Sequence, residues 1–147
     1  MRRNRWIVVG MDFSEGAARA LDYAVDLATQ VQASVACVHA YEDAPTTSAF
    51  EDPGPALRSQ LDELIALHVP RDCAVRVDSV VRRGAPWEKL ANVATELGAD
   101  LIVVGSDGQR GASSCGFLGT VANRLAITSP RSVVVVPSRP GVHPVAS

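Results

Sequence analysis

The sequence has three cysteines, an odd count with no CxxC spacing. That excludes a disulfide framework and points to reduced thiols in a cytoplasmic protein. His, Cys, Asp and Glu nowhere cluster at metal-ligand spacing, so no protein-held metal site is expected. No stretch approaches the roughly 18 consecutive apolar residues of a membrane span. The start, Met1-Arg2-Arg3-Asn4-Arg5, is basic like the first segment of a signal peptide. The apolar run after it, Trp6 to Gly10, gives way to Asp12 without a cleavage pattern, so neither secretion nor a membrane is expected. There is no excess of positive charge: 14 Lys and Arg stand against 16 Asp and Glu, a net charge of −2. That argues against a nucleic-acid partner recognised by phosphate neutralisation. The GxxxxGK[ST] phosphate loop is also missing.

What is present is a globular chain. At 147 residues, 47% hydrophobic and 20% charged, it has the size of one domain and can bury roughly two-thirds of its unfolded surface. A single domain is expected over residues 1–137, followed by a proline-containing tail over 138–147. Arg5 to Met11 predicts a first strand buried at Ile7 to Val9. Ser14 suits the N-cap of the helix that follows, and Glu15 its first turn. Ala17, Ala20, Leu21, Ala24, Val25, Leu27 and Ala28 then make one broad apolar stripe. Ala33 to Ala40 predicts a second strand, with Cys37 as a small core residue. Tyr41 to Pro55 is a long aperiodic loop. Ala56 to His68 predicts a helix with Leu57, Leu61, Leu64, Ile65 and Leu67 as its apolar set. The alternation from Cys73 to Arg83 predicts a half-exposed edge strand. Pro86 opens a helix that Gly98 closes. Leu101 to Val104 and Ser132 to Val136 predict two further strands.

Between the last two strands lies the most informative stretch. Gly105, Gly108, Gly111, Gly116 and Gly119 put five glycines into fifteen residues, followed by the helical spacing of Thr120 to Ala126. Strand, glycine loop and helix is an arrangement that cradles phosphate: glycine admits close backbone approach, and the helix start presents free N–H groups. A helix terminus alone contributes only about 0.3–1 kcal/mol to an anion, so several donors must converge. A flexible surface loop is the plainer alternative. The alternation of strands and helices predicts a parallel α/β sheet, five strands in the order 3-2-1-4-5, with helices on both faces. The crevice of such a sheet lies beyond the C-terminal ends of strands 1 and 4, where the winding reverses. That places Gly10, Met11 and Asp12 beside Gly105 to Gly108.

Two segments, VVGMDFSEGAARAL near the start and ADLIVVGSDGQRG…GT near the end, resemble the universal stress protein family. The similarity extends over nearly the whole chain, including Val38-His39 and the turn Gly84-Ala85-Pro86. Nucleotide-binding members carry Gly-x2-Gly-x9-Gly-(Ser/Thr). Here Gly105-x2-Gly108 is followed by ten residues and then Gly119-Thr120, which puts one extra residue between Ala112 and Leu118. Asp107 stands where the family often has His, and Met11 where a smaller residue is common. The resemblance implies a Rossmann-like fold of the adenine nucleotide alpha hydrolase type and ATP as the ligand. It implies that Asp12, with the backbone of Gly10 and Met11, holds the adenine and ribose side, and that Ala40 packs along the base. Val104 and Gly105 would line the ribose, and Gly108, Gly119, Thr120 and Val121 would meet the phosphates. The only metal then expected is magnesium held mainly by phosphate oxygens.

Other residues have plainer readings. Asp12 also suits a helix cap near Ser14, and both roles can hold at once. His39 is read as a satisfied histidine at a strand end, Trp87 as a packing residue, and Cys115 as an exposed thiol without an evident activating group. Arg110 and Arg124 offer charge near the loop. No catalytic residue is assigned, because neither a general base nor a Walker-type lysine is evident. Three functions follow: an ATP-binding regulatory protein of the stress response, a slow ATPase, or a nucleotide-free dimeric interaction module. A pyrophosphatase-type ATP enzyme is disfavoured because strand 1 runs into DFSEG. The four valines of strand 5 lack a lysine or proline guard, so a homodimer paired through that edge is expected, as the resemblance also implies.

Overall fold

The computed structural model describes residues 4–42, 52–106 and 119–137. In chain order the elements are β1 (Trp6–Gly10), α1 (Glu15–Val31), β2 (Ser34–Tyr41), α2 (Gly54–His68), β3 (Val77–Arg83), α3 (Pro86–Leu97), β4 (Leu101–Gly105), α4 (Thr120–Thr128) and β5 (Ser132–Val136). The strands form one parallel sheet in the order β3-β2-β1-β4-β5. β1 is central, with Val8 level with Ala36 on one side and Ile102 on the other.

The two-residue period of a strand divides the core into two layers. Ile7 and Val9 of β1, Val35 and Cys37 of β2, and Val103 of β4 face α1 and Leu61 of α2. Trp6 and Val8, Ala36 and Val38, and Ile102 and Val104 face Leu90, Val93 and Ala94 of α3, with Ala122 and Leu125 of α4. Because β1 is covered on both faces, its run Trp6 to Val9 is apolar without alternation. Alanines at 17, 20, 24 and 28 let α1 lie close on the sheet. The contact is close at Gly105, where a Cβ would stand 2.8 Å from the carbonyl carbon of Gly16.

Local chemistry sets the helix ends. Ser14 Oγ accepts from Ala17 N–H at 3.1 Å as the N-cap of α1. Pro86 sits in the first turn of α3, and Gly98 closes that helix with φ 63, donating to Ala94 and Thr95 carbonyls. Among the described residues no helix is long and apolar enough to cross a membrane.

Three sequence expectations shift. β3 begins at Val77, not Cys73, because its only neighbour, β2, starts at Ser34 and Val35 is level with Val77. Val75 packs on the core without a strand partner, and Cys73 N–H closes a turn onto Pro70. α2 starts at Gly54, its early proline tolerated where the N–H is free anyway. Within α2 only Leu61 is fully buried, and Leu67 is 85% exposed. Leu67 lies six positions from Leu61, about 240° around the helix, and so misses the sheet. The tail 138–147 and the loop 107–118 lie outside the described residues.

Candidate functional site

The crevice predicted by the topology is bounded by two strand ends of different character. At the end of β1, Gly10 is a glycine for steric reasons: a Cβ would meet Leu90 Cδ1 at 2.9 Å and Val104 Cγ1 at 3.1 Å. Met11 N–H donates to Val38 carbonyl at 2.8 Å, carrying the pairing one residue past the strand. The Met11 side chain is buried. Its carbonyl is 2.7 Å from His39 Nδ1, and since a carbonyl only accepts, that nitrogen carries the proton. Phe13 N–H donates to Met11 Sδ at 3.4 Å, and Phe13 takes a left-handed φ of 64. Asp12 is half-buried. Its Oδ1 accepts from Ser14 N–H at 3.0 Å and from the Ser14 hydroxyl, an Asx turn that leads into the helix cap. Among the described residues nothing donates to Asp12 Oδ2.

At the end of β4, Ser106 N–H donates to Val136 carbonyl at 3.0 Å, and Gly119 N–H donates to the Ser106 carbonyl. The two sides of the glycine loop are therefore tied together, and Gly119 lies beside the end of β4. Gly108 falls outside the described residues, as do Asp107, Arg110 and Cys115. α4 starts at Thr120 with Gly119 at its N-cap, no side-chain cap and no acid in its first turn. Among the described residues the N–H groups of Thr120, Val121 and Ala122 meet no acceptor. These are the donors that a helix start leaves free.

The strand period brings several predicted residues together. Gly10 lies two residues past Val8, Ala40 two past Val38, and Val104 two past Ile102, so all three share the α3 side of the sheet at its C-terminal end. Ala40 is half-buried and level with Arg82 of β3. Gly105 is held against Gly16 on the opposite side. Arg124 is exposed, with its guanidinium 4.5 Å from the Trp87 ring centre, and Trp87 packs on the α3 layer as expected. The sequence reads His39 as satisfied without naming its partner, and places Asp12 near the Ser14 cap without showing which atoms bond. The Asp-x-Ser spacing was the available signal for the second.

Electrostatics away from the crevice is quiet. Burial pushes the Cys37 thiol up to about 12, which keeps it protonated and inert. Asp52 is held below the usual carboxylate range by the Gly54 N–H at 3.0 Å, then by the Tyr41 hydroxyl at 2.8 Å. Those bonds tie the start of α2 to the end of β2. Among the described residues no group of His, Cys, Asp or Glu could hold a metal ion. Among the described residues this sheet end thus offers a carboxylate oxygen and a cluster of free amides. That donor set suits a ligand with hydroxyl or amino donors at one end and an anion at the other.

Comparison with known proteins identifies the family and the fold. The family model described as "Universal stress protein family" matches residues 3–137. The universal stress protein YxiE of Bacillus subtilis (strain 168) is 29% identical over 144 residues, covering 88% of this chain and 97% of that protein. Among solved structures, the hypothetical protein MJ0577 superposes with a TM-score of 0.78 at 22% identity, over 95% of this chain and 99% of that one. A universal stress protein crystallised in complex with cAMP is 27% identical, with a TM-score of 0.68 over 92% of this chain and 98% of that one. Sequence motifs, sheet order and family model agree, and this chain belongs to the universal stress protein family.

Proposed function

We propose that this protein binds an adenine nucleotide, ATP with its magnesium, in the crevice between β1 and β4, and that it serves as a cytoplasmic regulator in a stress response. The observation that carries this is the free amide cluster of Thr120, Val121 and Ala122 standing at the same sheet end as a carboxylate with one unused oxygen, Asp12 Oδ2. Asp12 accepts from the ribose and base side. Of Met11, the N–H is already spent on Val38, which leaves the second lone pair of its carbonyl. The backbone of Gly10 stands beside Asp12 on that side, Ala40 packs along the base, Val104 and Gly105 line the sugar, and Gly108, Gly119, Thr120 and Val121 receive the phosphates. Magnesium, where present, is held by phosphate oxygens. The universal stress protein solved in complex with cAMP supports an adenine nucleotide as the class of ligand.

ATP is expected to bind at micromolar strength, on the order of −8 kcal/mol. Calorimetry with ATP, ADP, AMP and cAMP tests it, together with denaturation of the purified protein and analysis of any released nucleotide. No released nucleotide, no heat and no thermal shift with all four would overturn it.

We also propose a homodimer through β5. The two sheet edges differ: β3 carries Arg82 and Arg83 with Asp78, paired to Glu96 and Arg76 in part, whereas β5 carries Ser132 and four valines. Charge guards an edge against pairing and valine does not. Light scattering is expected to give twice the 15.5 kDa chain mass, and Val134→Lys is expected to return it to the monomer value. A monomeric wild type, or a Val134→Lys chain that still dimerises, rules out this interface.

A further inference from the structure

His39 touches the residues on both sides of Asp12. Its Nδ1 proton goes to the Met11 carbonyl at 2.7 Å, and its ring lies 4.7 Å from that of Phe13 with a 55° tilt. Phe13 is the residue that most needs such support. A bulky side chain at a φ of 64 occupies a region that non-glycine residues avoid, and it persists only where its surroundings hold it. Here the supports are packing on the α1-side core, the ring contact with His39 and the bond from Phe13 N–H to Met11 Sδ. Met11 is itself fixed by Val38 from one side and by His39 from the other. Asp12 therefore sits between two residues that one histidine of the neighbouring strand holds in place. The other lock, Ser14 on Oδ1, orients the carboxylate but not the backbone that carries it.

We propose that His39 is a positioning residue for the nucleoside half of the site: by gripping Met11 and Phe13 it sets where Asp12 Oδ2 meets the ligand. This rests on the nucleotide-binding function proposed above. His39 need not touch the ligand. Its contribution is preorganisation, since a turn already held in the bound conformation loses less freedom on binding. The tautomer follows from the geometry, with the proton on Nδ1 and the lone pair on Nε2 whenever the ring is neutral.

Two amide substitutions separate this role from bulk packing. The Nδ2 of an asparagine at 39 stands near the place of Nδ1 and keeps a donor for the Met11 carbonyl. A glutamine places its amide near Nε2 and does not. His39→Leu and His39→Gln are expected to weaken ATP and AMP by the same factor, about five- to tenfold as for one lost hydrogen bond, leaving the ratio of the two affinities unchanged. His39→Asn is expected to stay within about twofold of wild type. A ratio that holds shows that the phosphate end at α4 is intact, which a general loosening of the fold would not leave so. Amide exchange supplies a readout without ligand: Ser14 and Ala17 N–H should lose protection in His39→Leu and keep it in His39→Asn.

The inference is overturned if His39→Leu binds ATP as tightly as wild type, if His39→Asn falls as far as His39→Leu, or if the ATP to AMP ratio shifts. If wild type binds no adenine nucleotide, the proposed function fails and the binding role of His39 fails with it. Equal exchange protection at Ser14 and Ala17 in all four chains would overturn the grip itself, whatever the ligand.

Discussion

The two strand ends that face each other across the crevice are built on opposite principles. The end of β1 is closed on itself: Met11, Asp12, Phe13 and Ser14 are bonded to one another, to β2 and to the start of α1. Among the described residues, the end of β4 ties its two margins, Ser106 and Gly119, and the first amides of α4 meet no acceptor. α1 brings its own cap and an acid, Ser14 and Glu15, and so meets its free donors and its positive pole from within. α4 brings neither. A helix start left in that condition keeps its capacity for an anion, whereas one that caps itself has used part of it. Under the proposed function, the carboxylate-bearing end takes the hydrogen-bond donors of the ligand and the uncapped end its charge.

Gly119 offers the sharpest way to break the contrast. Its φ of −60 and ψ of 161 suit any residue, so the backbone does not demand glycine there. Gly119→Val is expected to leave the melting temperature nearly unchanged and to weaken ATP by about a hundredfold or more, roughly 3 kcal/mol, by placing a branched side chain where phosphate approaches. Calorimetry beside a thermal melt reads both. Binding within a few-fold of wild type would mean that the anion lies elsewhere.

Asp12→Asn is the corresponding change at the other end. The amide oxygen still accepts from Ser14, so the turn survives while the charge goes. Loss of a hydrogen bond to a charged group costs about 1.5–3 kcal/mol, and adenosine and ATP should weaken together. Inorganic tripolyphosphate, measured in parallel, should not respond. A change confined to the phosphate ligand would reverse the assignment of the two ends.

Gly105→Ala tests stability more than binding. Its Cβ would stand 2.8 and 2.9 Å from the carbonyl carbon and oxygen of Gly16, both backbone atoms. Overpacking of this kind costs about 1–3 kcal/mol, and thermal or urea unfolding would report it. An unaltered midpoint would show that α1 shifts freely off β4. The smallest effect is expected from Ser14→Ala, which removes a cap worth about 1 kcal/mol and lowers the melting temperature by about 2–4 °C. ATP affinity should move less than threefold if His39, not Ser14, holds the backbone of the turn.

Much of this was readable from residues in order. Strand runs such as Trp6 to Val9 and Val133 to Val136, the cap at Ser14, and Pro86 with Gly98 around α3 are signals that act within a turn or two, and the structure agrees with them. Their alternation was enough for the sheet order, because parallel crossovers leave few topologies open. Leu67 and Cys73 were misread for the same reason from opposite directions. Each obeys a local pattern, but burial and pairing depend on where a partner element stops.

The candidate site divides along the same line. Sequence alone determined that a glycine loop joins a buried strand to a helix start, that Asp12 follows the first strand, and that topology brings the two to one end of the sheet. Tertiary structure decided which groups are left to bind. His39 and Met11 lie 28 positions apart, as no periodicity records, and their bond exists only because β2 lies beside β1 in one register. Gly105 is required by the backbone of Gly16 whatever it does for a ligand, whereas the backbone of Gly119 is unstrained. The difference is physical: propensity and capping are short-range and written in adjacent residues, whereas the free donor, the spent donor and the close approach depend on what the folded chain places opposite them.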